Sequence, residues 1–217
     1  MLAKEGEYVY GPGEMEEKRG LHADLRLAST LHLFGHGKAV LKPADAPLFA
    51  AWGMRRKKAA PCIFSTAPRG TLDGLTIEAP RGTIDDHFTV GVGIWKGGFR
   101  LQSCVISAPK QSGGNALLVD GPTAKPVIVG CQLSGGKDTV QWGEGALGRL
   151  EGCTISGARE AGLAVVDPST APLVANNTFR DSNWGIYIHI DVDAAWAPGE
   201  GNTFENIEEE DVLDRRG

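Results

Sequence analysis

The sequence predicts an all-β fold, a parallel β-helix in which each coil carries three short strands. Three observations carry that prediction. Gly supplies 30 of the 217 residues, roughly twice ordinary usage. Each Gly inside an α-helix costs about 1 kcal/mol against Ala, so the chain turns too often for a helical architecture. Second, a short motif recurs: a small residue or Asn, then Cys, Asn or Leu, then any residue, then a large apolar residue. Third, its copies, centred on Leu75, Cys104, Cys131, Cys153, Asn177 and Asn202, are spaced at intervals of one short coil, with a second apolar series offset between them.

A repeat of this length has few physical solutions. The Gly and Pro punctuation leaves no window for a helical repeat, and the Leu-x-x-Leu-x-Leu frame of a leucine-rich repeat is absent. Three strands and three turns per coil, each coil stacked about 4.8 Å above the last, satisfy the spacing.

From the N-terminus, residues 1–30 are charged and read as a cap, with a short helix expected near 14–19. Residues 31–64 read as early, irregular coils. In the first series Ile77, Ile106, Leu133, Ile155, Phe179 and Phe204 are expected to stack inside. In the second series Ile94, Ala116, Val140, Leu163 and Ile186 form one inner column, and Leu118, Trp142, Val165 and Ile188 the next. A third strand precedes each copy of the first motif from the second onward, around Leu101, Ile128, Leu150 and Val174. Residues 31–207 are thus assigned to the β-helix and 208–217 to a polar C-terminal tail.

The four cysteines, at 62, 104, 131 and 153, put three members into the motif position that Asn177 and Asn202 occupy further on. An Asn ladder of this kind bonds backbone and the amide of the next coil. Cys is read there as a small apolar substitute and a free buried thiol. No Cys-x-x-Cys or paired His suggests a metal.

A net charge of −5 and a pI near 5.6 argue against a nucleic-acid partner. The basic run at 55–58 reads as a solvated loop. No run of 18 apolar residues would cross a membrane. With no apolar leader stretch and with free thiols, the expected location is cytoplasmic.

Phosphate-loop and nucleophile-elbow motifs are missing; Gly35-His36-Gly37-Lys38 lacks the required frame, and His32 and His36 fall on a strand and turn. Two polar sets remain. Asp120, Glu144 and Asp167 close the second-series strand in successive coils, either as turn residues or as an acid cluster suited to glycoside chemistry. Tyr187, His189, Asp191 and Asp193 alternate with apolar residues on one strand face, where a His beside carboxylates suits acid–base work. An outward strip of Trp95, Leu117, Gln141, Ala164 and Tyr187 offers ligand contact, with Trp95, Gln141 and Tyr187 as the binding candidates.

The Gly-Ile-x-Val strands, the Cys/Asn turn motif, the step of about 23 residues and the opening 6–13 and 31–37 segments resemble right-handed β-helix repeats of the carbohydrate-binding and sugar-hydrolysis type. Such repeats occur in F-box substrate receptors, NosD-like proteins and pectate-lyase-like enzymes. The resemblance implies a single-stranded right-handed solenoid, here of about seven to nine coils with polar end caps. It implies no catalytic residue: the enzyme signatures are absent, and Ile84-Asp85-Asp86-His87 only partly matches a pectate-lyase pair. The expected function is a non-catalytic recognition scaffold binding a protein or a glycan along one face, without a cofactor. The alternative is a carbohydrate-active lyase, hydrolase or epimerase using Asp120, Glu144 and Asp167 or His189 and Asp191, with Ca²⁺ entering only under that alternative.

Overall fold

The computed structural model describes residues 6–10, 25–27, 31–43, 58–79, 87–110 and 113–217. The expected capping helix at 14–19, the basic residues 55–57 and the 84–86 segment lie outside these, as does the side chain of His36. Among the described residues there are seventeen strands and no helix. The first five are β1 (Gly6–Tyr10), β2 (Leu25–Leu27), β3 (Leu31–Pro43), β4 (Lys58–Ser65) and β5 (Arg69–Glu78). A long β6 (His87–Gln102) follows, then β7 (Val105–Ala108), β8 (Asn115–Ala124), β9 (Val127–Val129), β10 (Gln132–Gly135) and β11 (Val140–Gly143). The last six are β12 (Arg149–Glu151), β13 (Thr154–Ser156), β14 (Ala161–Val165), β15 (Leu173–Ala175), β16 (Thr178–Ile188) and β17 (Thr203–Asp214). Strands pair in parallel with the strand one coil on, as β7, β10, β13 and β16 do in turn. The stack makes about six turns, fewer than the seven to nine expected.

Three inner ladders hold it together. The first is continuous in register from Leu41 through Ile77, Ile106, Leu133, Ile155 and Phe179 to Phe204, as the motif spacing requires. Its last rung is a stacked Phe179–Phe204 pair with centroids 5.5 Å apart. The second wall carries Leu33, Leu72, Leu101, Ile128, Leu150 and Val174. All of these are buried, and each full burial stabilises by about 1.5–3 kcal/mol.

The third wall corrects the expected register. Its inner columns run Ile63–Val92–Leu117–Val140–Leu163–Ile186 and Ile94–Val119–Trp142–Val165–Ile188. Leu117 and Val119, rather than Ala116 and Leu118, occupy the inner positions of β8. Gly93, Leu118, Gln141, Ala164 and Tyr187 share the outer column. The slip arises because Asn115–Gly121 is buried throughout, so the sequence there lacks the apolar–polar alternation that fixes a register. At the far end β17 pairs with β16 through Asp214, so most of the acidic 208–217 segment is strand.

The Gly excess is partly explained by one corner. Gly74, Gly130, Gly152 and Gly201, with Ser103 and Asn176, each precede the turn residue of the first motif, and all have φ between 50° and 75°. A Cβ on Gly130 would meet nothing within 4 Å, so left-handed backbone rather than crowding selects Gly there. Gly130→Ala is expected to cost about 1 kcal/mol and Gly130→Asn less. Equal losses in chemical denaturation would contradict this account.

The motif column itself is a hydrogen-bonded ladder. Asn177 accepts the backbone N–H of Cys153 at 3.0 Å and donates to the Leu150 carbonyl at 3.0 Å; Asn202 accepts from Asn177 N–H at 3.0 Å and donates to Val174 at 3.0 Å. Cys153 does the same work with sulfur: it accepts Cys131 N–H at 3.4 Å and lies 3.8 Å from the Ile128 carbonyl. The cysteines are free and buried as expected, but they substitute for the amide and are more than apolar filler. Flanking thiols and burial push the Cys131 thiol far up.

Candidate functional site

The outer face of the third wall holds a cleft of about 470 Å³. Its floor is the outer column of β11, β14 and β16, where Gln141, Ala164 and Tyr187 stand side by side. These strands alternate because their inner neighbours fill the core, which turns the polar and aromatic residues outward. Ala164, only 2% exposed, keeps the floor low between its larger neighbours.

One wall is aromatic. Trp184 and Tyr187, both half-buried, form a tilted pair with centroids 5.7 Å apart, and His189 stands 6.3 Å beyond Tyr187. The Trp184 indole N–H donates to Glu209 of β17 at 2.9 Å, which fixes the ring. His189 Nδ1 accepts the Asp191 backbone N–H at 3.3 Å and lies 3.4 Å from the Asp191 carboxylate.

Charged side chains flank β11 and β14 at both ends. Lys137 bridges Glu160 at 2.9 Å and approaches Asp138 at 3.8 Å. Burial works to lower the Lys137 pKa, but the two carboxylates outweigh it and hold the ammonium above its ordinary value. Glu144 and Asp167 stand at the other end of these strands, both at positive φ of 49° and 72° in the turns that follow them. Asp167 also accepts the Glu144 backbone N–H at 3.3 Å. They are therefore turn residues and cleft residues at once.

Asp120 departs from the expected column. It pairs with Gly143, not Glu144, and it is wholly buried with neither carboxylate oxygen hydrogen-bonded. Gly143 lets Asp120 and Asp167 approach: a Cβ there would be crowded, 3.0 Å from both Asp120 Oδ1 and Asp167 Oδ2. The two carboxylates face the same small space. Burial first, and the Glu144 and Asp167 charges second, push the Asp120 carboxyl up to about 8.

Trp95 also departs. Gly93 takes the place expected for it, and Trp95 lies one position along, against Gly121 and edge-on to Phe64 at 6.5 Å. It is not among the cleft residues. Asp191 lines the cleft but lies beyond the end of β16, and Ile190 beside it is 63% exposed, so the expected alternation stops at His189. The cleft therefore unites Gln141, Glu144, Asp167, Tyr187, His189 and Asp191 from three candidate sets that the sequence kept apart. Among the described residues no cluster of His, Cys, Asp or Glu is arranged to hold a metal ion.

A family model described as the right-handed β-helix region matches residues 76–212. The chain belongs to the right-handed β-helix family. No curated protein and no solved structure matches it. Membership fixes the coil handedness and stacking direction that place β11, β14 and β16 in one face. It leaves the chemistry of that face to the residues on it. In this right-handed β-helix Lys137, Glu160 and Trp184 escaped the sequence reading. Trp184 lies in β16 beside a register irregularity, and Lys137 and Glu160 lie in bends, but these two stand one coil apart, with the Glu160 N–H bonded to the Lys137 carbonyl at 2.8 Å, so repeat spacing alone would have aligned them.

Proposed function

We propose that the cleft is a glycan-recognition groove and that the protein acts as a non-catalytic β-helix scaffold. The observation that carries this reading is the fixed Trp184–Tyr187 pair sharing one cleft with charged and amide-bearing side chains. Sugars present apolar ring faces and a rim of hydroxyls, which suits aromatic surfaces opposite carboxylate, amide and ammonium groups. A protein partner fits less well. Its interface would bury roughly 1,200–2,000 Å² around an apolar core, whereas the exposed large apolar residues among the described ones, Phe34, Val105, Leu173 and Ile190, are scattered over three strands and a turn.

The catalytic alternative draws on the paired carboxylates, one with a raised pKa. A general acid must come within about 2.6–3.2 Å of the atom it protonates. Asp120 is sealed at 0% exposure, which favours recognition over hydrolysis. Tyr187→Ala is expected to weaken oligosaccharide binding about tenfold or more, since an aromatic contact supplies roughly 0.5–1.5 kcal/mol beyond its buried area. Titration calorimetry against a panel of hexasaccharides measures this. Unchanged affinity in the variant would overturn the groove assignment, and product formation from any panel member would favour the enzyme.

A further inference from the structure

Resting on the glycan reading, we infer that Glu209 is a positioning residue of the groove. It stands outside the residues that line the cleft and acts by holding the Trp184 ring. β16 and β17 keep a one-to-one register from Thr178 opposite Thr203 to Ser182 opposite Ile207, and again from Trp184 opposite Glu210 to Ile188 opposite Asp214. Between these runs Asn183 alone lies opposite both Glu208 and Glu209. This two-against-one count is a β-bulge, a device that re-aims a side chain.

Each bulged residue has its own partner. With its amide oriented by its hydrogen bonds, Asn183 donates to Glu208 and to the Arg159 carbonyl, each at 3.3 Å. Trp184 donates to Glu209 at 2.9 Å. The Ser182 hydroxyl, buried at 1% exposure, donates to the Trp184 carbonyl at 2.9 Å. The backbone and the ring of Trp184 are thus held separately. The indole N–H is the only polar group of a Trp side chain, and Glu209 takes it. What Trp184 offers a sugar is therefore an apolar ring in a set orientation, 5.7 Å from Tyr187 between centroids. Freezing a mobile side chain on binding lowers affinity, and a ring already frozen by the fold avoids that loss.

The test pairs calorimetry with the spectrum of nitrogen-labelled indoles, in which Trp184→Phe identifies the Trp184 signal. The ligands are hexasaccharides of glucose, N-acetylglucosamine and galacturonate. Glu209→Ala is expected to speed exchange of the Trp184 indole proton with water. It should also weaken the tightest of the three ligands about three- to tenfold, the effect of ordering one freed side chain on binding. Its thermal melt should stay near wild type, since the bond is exposed and surface substitutions change stability little. A melt that falls with the affinity assigns the loss to folding and overturns the positioning role. Glu209→Gln keeps an acceptor oxygen and should restore both the slow exchange and the affinity. An unchanged Trp184 signal in Glu209→Ala, or a freed ring with undiminished affinity, overturns the positioning role and leaves the groove standing. Glu209→Gln as weak as Glu209→Ala overturns it too, by showing that the ligand responds to the charge and not to the ring. No binding of the wild type to any of the three overturns the groove and the positioning role together.

Discussion

Asp120→Asn is expected to stabilise the protein at pH 7 by roughly 2–3 kcal/mol, although it alters a wholly buried side chain. The carboxyl has an ordinary value of 3.8 and is pushed up to about 8 in the fold. At pH 7 the unfolded chain carries it ionised while the folded chain keeps the proton. Folding must therefore restore the proton, at about 1.4 kcal/mol per unit of pKa displacement. Asn has nearly the same shape and removes this cost, at a smaller penalty of about 1–2 kcal/mol for an amide without partners.

The pH dependence provides the sharper measurement. Between 3.8 and about 8 the folded state binds more protons at this site than the unfolded state, so stability falls as pH rises across that window. Below the window both states are protonated and above it both are ionised, so the contribution is level at each end. The full fall is on the order of 5 kcal/mol. Urea denaturation at several pH values should show the wild type losing stability relative to Asp120→Asn from acid to pH 8, with the difference constant beyond. Parallel curves would mean that Asp120 is not held neutral.

What could be read beforehand followed the strength of the alternation. The ladder from Ile77 to Phe204 was legible because one apolar position per coil repeats beside a fixed corner, where positive φ restricts the choice to Gly, Asn or Ser. The wall through Leu101, Ile128, Leu150 and Val174 was legible for the same reason. In β8 the inner and outer residues are alike, since Ala116, Leu117, Leu118 and Val119 are all fully buried. Period-two reasoning has nothing to hold there, and a slip of one residue exchanges the faces. That slip misplaced Asp120, while Trp95 was displaced by a separate shift of two residues along β6, which keeps the face and changes the column. Gln141 and Tyr187 survived because each stands between two buried apolar residues, of β11 and β16 respectively, and His189 follows Ile188 in the same rhythm, although β14 between them is buried throughout. Lys137 comes from a bend whose side chain no alternation orients, and Trp184 follows a register irregularity within β16 that breaks the alternation.

Asn177→Ala is expected to cost about 3–5 kcal/mol, and Asn177→Cys roughly half as much. Asn177 is 1% exposed, and its amide is the partner of both the Cys153 N–H and the Leu150 carbonyl. Alanine leaves both groups buried and unpaired, each costing about 1–3 kcal/mol, and adds a small void. Asp keeps the acceptor for Cys153 but faces the Leu150 carbonyl and Asn202 Oδ1 without a donor, so it should be no better than Ala. Cysteine is different, because the coil below already runs on it. Cys153 accepts one backbone N–H and sits beside the preceding carbonyl in the geometry Asn177 uses one coil later. Sulfur is a weaker partner in both roles, which sets a partial rather than a full rescue. Denaturation midpoints in the order wild type, Cys, then Ala and Asp would establish that the ladder works by hydrogen bonding. If Cys fell with Ala, the thiols at 104, 131 and 153 would be packing groups alone, and the backbone at those corners would have to be satisfied in some other way.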